Sequence, residues 1–172
     1  MSLTDMASIG GAVSAIAVLV SLLFLSLQIR QEEKNQRALI QQGRAGCTAD
    51  IAMRLMAADF AEVYNRGMNG DPDLSIIQLV QFMGYCRAVF LGAEDSFLQH
   101  RESLLDELAF VSFITSLRAF FMSKGVRTIW KMTRSWYGPE FEIFMDTVAE
   151  DASDHPRVDQ LIQWKTSLLT TT

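Results

Sequence analysis

From Met6 to Ile29 the chain reads MASIGGAVSAIAVLVSLLFLSLQI, 24 positions without a charged residue. As a helix this segment reaches about 36 Å, against a hydrocarbon core of about 30 Å. Twelve of the 24 are Leu, Ile, Val or Phe. At roughly −0.3 to −0.6 kcal/mol each, they favour insertion by about 5 kcal/mol in total. Gln28 and four Ser oppose this only in part, because Gln28 stands near the end where its cost is small. The pattern predicts a transmembrane helix. A cleaved signal peptide fits less well: MSLTD carries no basic residue and no A-x-A-like site follows the apolar run. A buried helix of a soluble protein is seldom apolar for this long.

The flanks of the span set an expected orientation. No Lys or Arg precedes it, whereas Arg30, Lys34, Arg37 and Arg44 follow within 15 residues. The positive-inside rule then expects a short N-terminus outside and the rest of the chain in the cytoplasm. Reduced Cys47 and Cys86 suit that compartment.

Beyond the span, RQEEKNQRALIQQGRAG has strong helix formers and no Pro, so the helix is expected to continue and loosen near Gly43 or Gly46. A second helix is predicted over 47–68, with Ile51, Leu55, Phe60 and Val63 on one side, ending at the turn signal NGDPD, residues 69–73. Ser75-Ile-Ile-Gln78 reads as a capping box opening a helix that runs to about His100. Leu74 to Ala93 holds one charge, Arg87, whose cost at mid-membrane, roughly 2.5–3.5 kcal/mol, makes a second span the poorer reading. A buried core helix is expected there instead.

Between Asp106 and Met122, Phe110, Phe113, Ile114, Leu117, Phe120 and Phe121 form one amphipathic stripe. Gly125 reads as the stop of that helix, supplying a positive φ. A short helix is predicted from Val126 to about Trp136, another from Gly138-Pro139-Glu140, and a last one after Asp154-His155-Pro156. No segment alternates with period two. The expected fold is all-α: an anchor over 1–30, a helical connector over 31–46, and a cytoplasmic bundle of about five or six helices over 47–172.

Composition narrows the function classes. With 172 residues, 49% of them hydrophobic and 11 Phe, the chain is too apolar for disorder and of a size for one folded unit. Two Cys make no disulfide framework, and no Cys/His spacing suggests zinc. A net charge of −5 disfavours a nucleic-acid partner, since phosphate neutralisation needs a basic surface.

Four stretches, LLFLSLQIR (22–30), FLQHRESLLD (97–106), GVRTIW (125–130) and YGPEFEIFMD (137–146), occur in this order along most of the chain. In these the chain resembles a family of small bacterial membrane-anchored helical proteins with no assigned activity. That pattern has Gly where this chain has Ser103, and a Trp pair where it has Ile129-Trp130, so a helix boundary is expected to differ at either point. The resemblance implies an anchor plus a helical domain and carries over no catalytic residue.

Three groups of residues are candidates for function. Ala7, Gly11 and Ala15 form a small-xxx-small stripe in the span, with Ser14 beside it, a spacing that lets two helix backbones approach closely in lipid. Gly, Ala and Ser are also ordinary residues of membrane helices. Arg87, Glu94, Asp95, Gln99 and His100, with Glu102 nearby, make a polar cluster that would serve as a ligand pocket or as a salt-bridge network neutralising Arg87. No E-x-x-H motif supports a di-iron site. Lys124, Arg127, Lys131 and Arg134 follow i, i+3, i+7, i+10, a face suited either to anionic lipid or to the segment 140–159, which holds seven acids.

No P-loop, nucleophile elbow, dinucleotide fingerprint or Cys–His pairing is present. No enzyme, cofactor or metal is therefore expected. The sequence points to a single-pass membrane protein that acts through assembly, as a homo-oligomer or as an accessory subunit of another membrane protein. The alternative is a membrane-tethered ligand-binding or sensory module with its pocket around Arg87, Glu94, Asp95 and His100.

Overall fold

A computed structural model describes residues 3–153 and 160–170. Among these there is no strand. The helices are α1 (Leu3–Leu55), α2 (Ala58–Asn69), α3 (Ile76–Arg101), α4 (Glu107–Phe121), α5 (Lys124–Thr133), α6 (Pro139–Ser153) and α7 (Gln160–Thr170). A 3-10 turn at Arg134–Trp136 follows α5. The chain is all-α, as the periodicity requires. It divides into two compact units, residues 1–43 and residues 44–172.

In the first unit the described backbone is helical throughout, and the side chains of residues 13–39 are exposed. Neither Gly43 nor Gly46 interrupts α1. One Gly costs a helix about 1 kcal/mol, and the good formers on both sides absorb that. The break comes instead at Met56–Ala57, where Ala57 is extended at φ −69°, ψ 124°. Cys47–Leu55 thus ends α1, and the predicted second helix shrinks to α2.

The second unit packs α2 against α3 and α5, and α4 against α6. Its core joins Val63 and Met68 of α2 to Phe82, Cys86 and Phe90 of α3, Phe121 of α4, Trp130 of α5 and Met145 of α6. Phe90 is fully buried. Its ring stacks on Phe121 at 5.9 Å and meets the edge of Trp130 at 5.1 Å. Such ring pairs add about 0.5–1.5 kcal/mol beyond the area they bury.

Local chemistry starts and stops these helices. The Ser75 hydroxyl accepts from the Gln78 amide at 3.3 Å, while the Ser75 amide donates to Gln78 Oε1 at 3.0 Å. Asp106 caps α4 by accepting from the Leu108 amide at 2.9 Å. Gly70, at φ +69°, closes α2. At the end of α3, Ser103 takes φ +59°, backbone that favours glycine.

Gly125 departs from its expected role. It lies in the first turn of α5 with an ordinary φ, and α4 has already ended at Phe121. Its lack of a side chain serves packing instead. A Cβ there would fall 1.7 Å from the Gly67 carbonyl oxygen, and a Cβ on Gly67 would fall 2.4 Å from the Phe82 ring. Helices α2 and α5 cross backbone to backbone. Ser123 then donates its hydroxyl to the Met68 carbonyl, tying the two helices at the crossing.

Gly125→Ala should therefore destabilise the protein by roughly 1–3 kcal/mol or more, because a backbone oxygen must move to admit the methyl. Gly92→Ala, with open space around its Cβ, should stabilise it by about 0.5–1 kcal/mol. Urea unfolding of both variants of the full chain checks the contrast.

Candidate functional site

The apolar run of α1 is exposed wherever its side chains are described. Leu23 is 68% and Phe24 60% accessible. Gly11, Ser14 and Ala15 are exposed too, and a Cβ on Gly11 would meet nothing within 4 Å. The side chain of Ala7 lies outside the described residues.

Helix α3 is not buried all round. Phe82, Cys86, Phe90, Ala93 and Ser96 form one buried stripe. Only 22% of its most apolar window is covered. Ile76, Ile77, Val80, Leu91 and Leu98 point outward. The two Ile occupy the first turn after the Ser75 cap, where the capping box holds the helix start regardless of burial.

The polar residues of α3 find separate partners. Arg87 is exposed and lies over the Trp136 ring, 5.6 Å from its centroid, a cation–π contact rather than a neutralised core charge. Glu94 accepts from the Gly138 amide at 2.9 Å, placing a carboxylate at the head of α6 where the helix dipole favours one. Asp95 accepts from Gln99 Nε2 at 2.7 Å. His100 stacks flat on Phe110, 3.7 Å between centroids, and its Nε2 lies 3.7 Å from Glu107 on α4. Glu102 is the C-cap of α3 and lies 3.5 Å from Arg101. Among the described residues no group of three His, Cys, Asp or Glu is gathered to hold a metal.

Among the described residues three buried polar atoms make no hydrogen bond: Gln99 Oε1, His100 Nδ1 and Tyr137 Oη. Burial raises the Tyr137 phenol above its ordinary value, with Arg87 pulling it back and Glu94 pushing it further up. Tyr137 thus feels both charges that flank the α3–α6 junction.

Two of the four basic residues around α5 are engaged. Arg127 donates to the Phe121 carbonyl at 2.7 Å, satisfying the C-terminal end of α4 with a cation. Arg134 reaches Asp146 at 2.6 Å and Glu142 at 3.4 Å, both on α6. Trp130 Nε1 donates to the other oxygen of Asp146 at 2.8 Å. The groove between α5 and α6, about 500 Å³, is lined by three cations and by Asp146 and Glu150. Lys124 and Lys131 remain exposed, without an ion pair among the described residues. The acidic alternative for this face is occupied over its α6 part; Asp154–Asp159 lie outside the described residues, as does the helix-start signal at His155.

Sequence reasoning missed Arg66. Its guanidinium reaches Asp71 at 2.7 Å, the Asp73 carbonyl at 3.0 Å and Glu62 at 3.8 Å, latching the turn between α2 and α3. The signal lay in RGMNGDPD, a cation five and seven residues before two acids. The hydrogen bond from Arg66, with help from the Asp73 amide, lowers the Asp71 carboxyl below its ordinary value. Cys86 is fully buried, and burial pushes its thiol up to about 12, while Cys47 is exposed.

Comparison with protein-family models, with curated proteins and with solved structures gives no match. The reading of function therefore rests on the residues themselves.

A depressed carboxyl contributes stability above the ordinary carboxylate range and loses it as pH falls through the folded value. Asp71→Asn should thus lower stability at pH 7 and flatten the acid limb below roughly pH 4, as read by urea midpoints across pH. Thiol labelling separates the cysteines: a maleimide at pH 8 should modify Cys47 alone in the native chain, and Cys86 only once the chain unfolds.

Proposed function

We propose that this chain is a single-pass bacterial inner-membrane protein that acts by assembly, as a homo-oligomer or as an accessory subunit of a membrane complex. One observation carries the reading. Residues 13–29 lie on one unbroken helix, uncharged and exposed along their whole length. Exposed apolar surface on this scale marks a lipid or protein partner.

The basic residues from Arg30 to Arg44 support a topology with residues 44–172 in the cytoplasm. Gly11, Ser14 and Ala15 offer α1 an open face against a second helix, where small side chains permit close approach. Glu94 and Arg127 serve helix ends, and Trp130 and Arg134 tie α5 and the turn after it to α6. That division of labour supports a docking domain over a catalyst.

The tagged full-length chain should stay in the membrane through an alkaline carbonate wash. In mild detergent it should run either at a multiple of 19.3 kDa or with a stoichiometric second polypeptide. Gly11→Ile should weaken the first kind of assembly. Release by carbonate, or a lone monomer in detergent, overturns the proposal.

A further inference from the structure

The outward face of α3 carries its chemistry symmetrically about Leu91. Gly84, Arg87, Leu91, Asp95 and Leu98 recur at i, i+3, i+7, i+11 and i+14. At 100° per residue, all five lie within about 40° of a line through Leu91. All are exposed, Leu91 at 49% and Leu98 at 39%. Four residues before Leu91 stands a cation, and four after it an anion. Seven residues before it stands Gly84, where a Cβ would meet nothing within 4 Å; seven after it stands Leu98.

A two-fold axis through Leu91, perpendicular to α3, carries position −4 of one helix onto +4 of its mate, and −7 onto +7. Arg87 then faces the partner's Asp95, and the reverse. The partner's Leu98 comes down over Gly84. Beside Gly84, α3, α5 and the turn after it leave a mostly apolar groove of about 190 Å³, lined by Val80, Met83, Arg87, Ile129, Thr133 and Trp136, which receives that leucine. Within the chain both charges lack an opposite partner among the described residues: Arg87 lies on Trp136, and Asp95 is held by Gln99.

We infer that α3 is a self-association face, pairing antiparallel with α3 of a second copy of this chain, Leu91 against Leu91. The self-complementarity selects this occupant, since an isologous interface demands that one patch fit itself. An anionic lipid surface would repel Asp95. An unrelated apolar helix would gain nothing from opposite charges equidistant from one leucine. The inference rests on the reading that the chain assembles with itself, and adds the surface by which its helical domain does so.

The test uses the full-length chain in native membranes, with Cys47→Ser to remove the exposed thiol. Leu91→Cys should give a disulfide-linked dimer on mild oxidation, whereas Val111→Cys, exposed on α4, should not. Starting from Leu91→Cys, Arg87→Asp or Asp95→Arg alone should slow cross-linking about tenfold, because each sets like charges opposite one another. The combined reversal, Arg87→Asp with Asp95→Arg, should restore it. Light scattering in detergent on the same charge variants with Leu91 intact should follow the same order.

Ala15→Cys separates the two claims. Cross-linking at 15 but not at 91 leaves assembly through the membrane helix standing and overturns the pairing of α3. Failure at both positions, with a monomer in detergent, overturns both. Cross-linking at 91 no faster than at 111, or a double reversal that stays slow, also overturns the pairing.

Discussion

The second unit depends on two glycines touching. At Gly67 and Gly125 the helices α2 and α5 come so close that no Cβ fits between them. Everything nearby follows from that separation. The Ser123 hydroxyl can reach the Met68 carbonyl only because the backbones have met. Phe82 lies over Gly67, so the crossing also fixes the height at which α3 joins the pair. Wider spacing would open a void beside Phe82 and Val126, and voids in close-packed cores cost tens of calories per cubic ångström.

Around this crossing the polar side chains act mainly as helix terminators and ties. Arg127 neutralises the end of α4, Glu94 stands at the head of α6, and Arg66 closes the turn after α2. Asp146 receives both Trp130 and Arg134, so one carboxylate fastens α6 to α5 and to the turn that follows it. Residues that resemble a binding cluster when written in a line are spread by the helix over several neighbours, each with its own task. The outer stripe of α3 is the exception: its charges face outward, and no opposite charge among the described residues answers them.

The sequence made legible what is decided within a turn or two of chain. The Ser75–Gln78 box, the Asp106 cap and the start at Pro139 depend on residues three or four apart, and they stand where the pattern puts them. The amphipathic stripe of α4 was readable for the same reason. Long-range contacts decided the rest. Gly125 had two uses open to it, a positive φ or a close approach, and only the arrival of Gly67 selects between them. Arg87 sits one residue from buried Cys86, and without the packing of α5 nothing tells which of the two faces inward. The break at Met56–Ala57 carries no Gly or Pro; it falls where α2 must turn so that Val63, Gly67 and Met68 meet α3 and α5.

The crossing also sets an order of events during synthesis. The two surfaces that meet at Gly67 and Gly125 are made 58 residues apart, and the hydroxyl that ties them belongs to residue 123. As the chain emerges from the ribosome, α2 and α3 can pair early, but the side of α2 that receives Gly125 at Gly67 stays uncovered until α5 appears. At translation speeds of about 5–20 residues per second, that interval lasts several seconds. For that time the nascent domain presents an open apolar seam to whatever surrounds it, a chaperone or a second nascent chain among them.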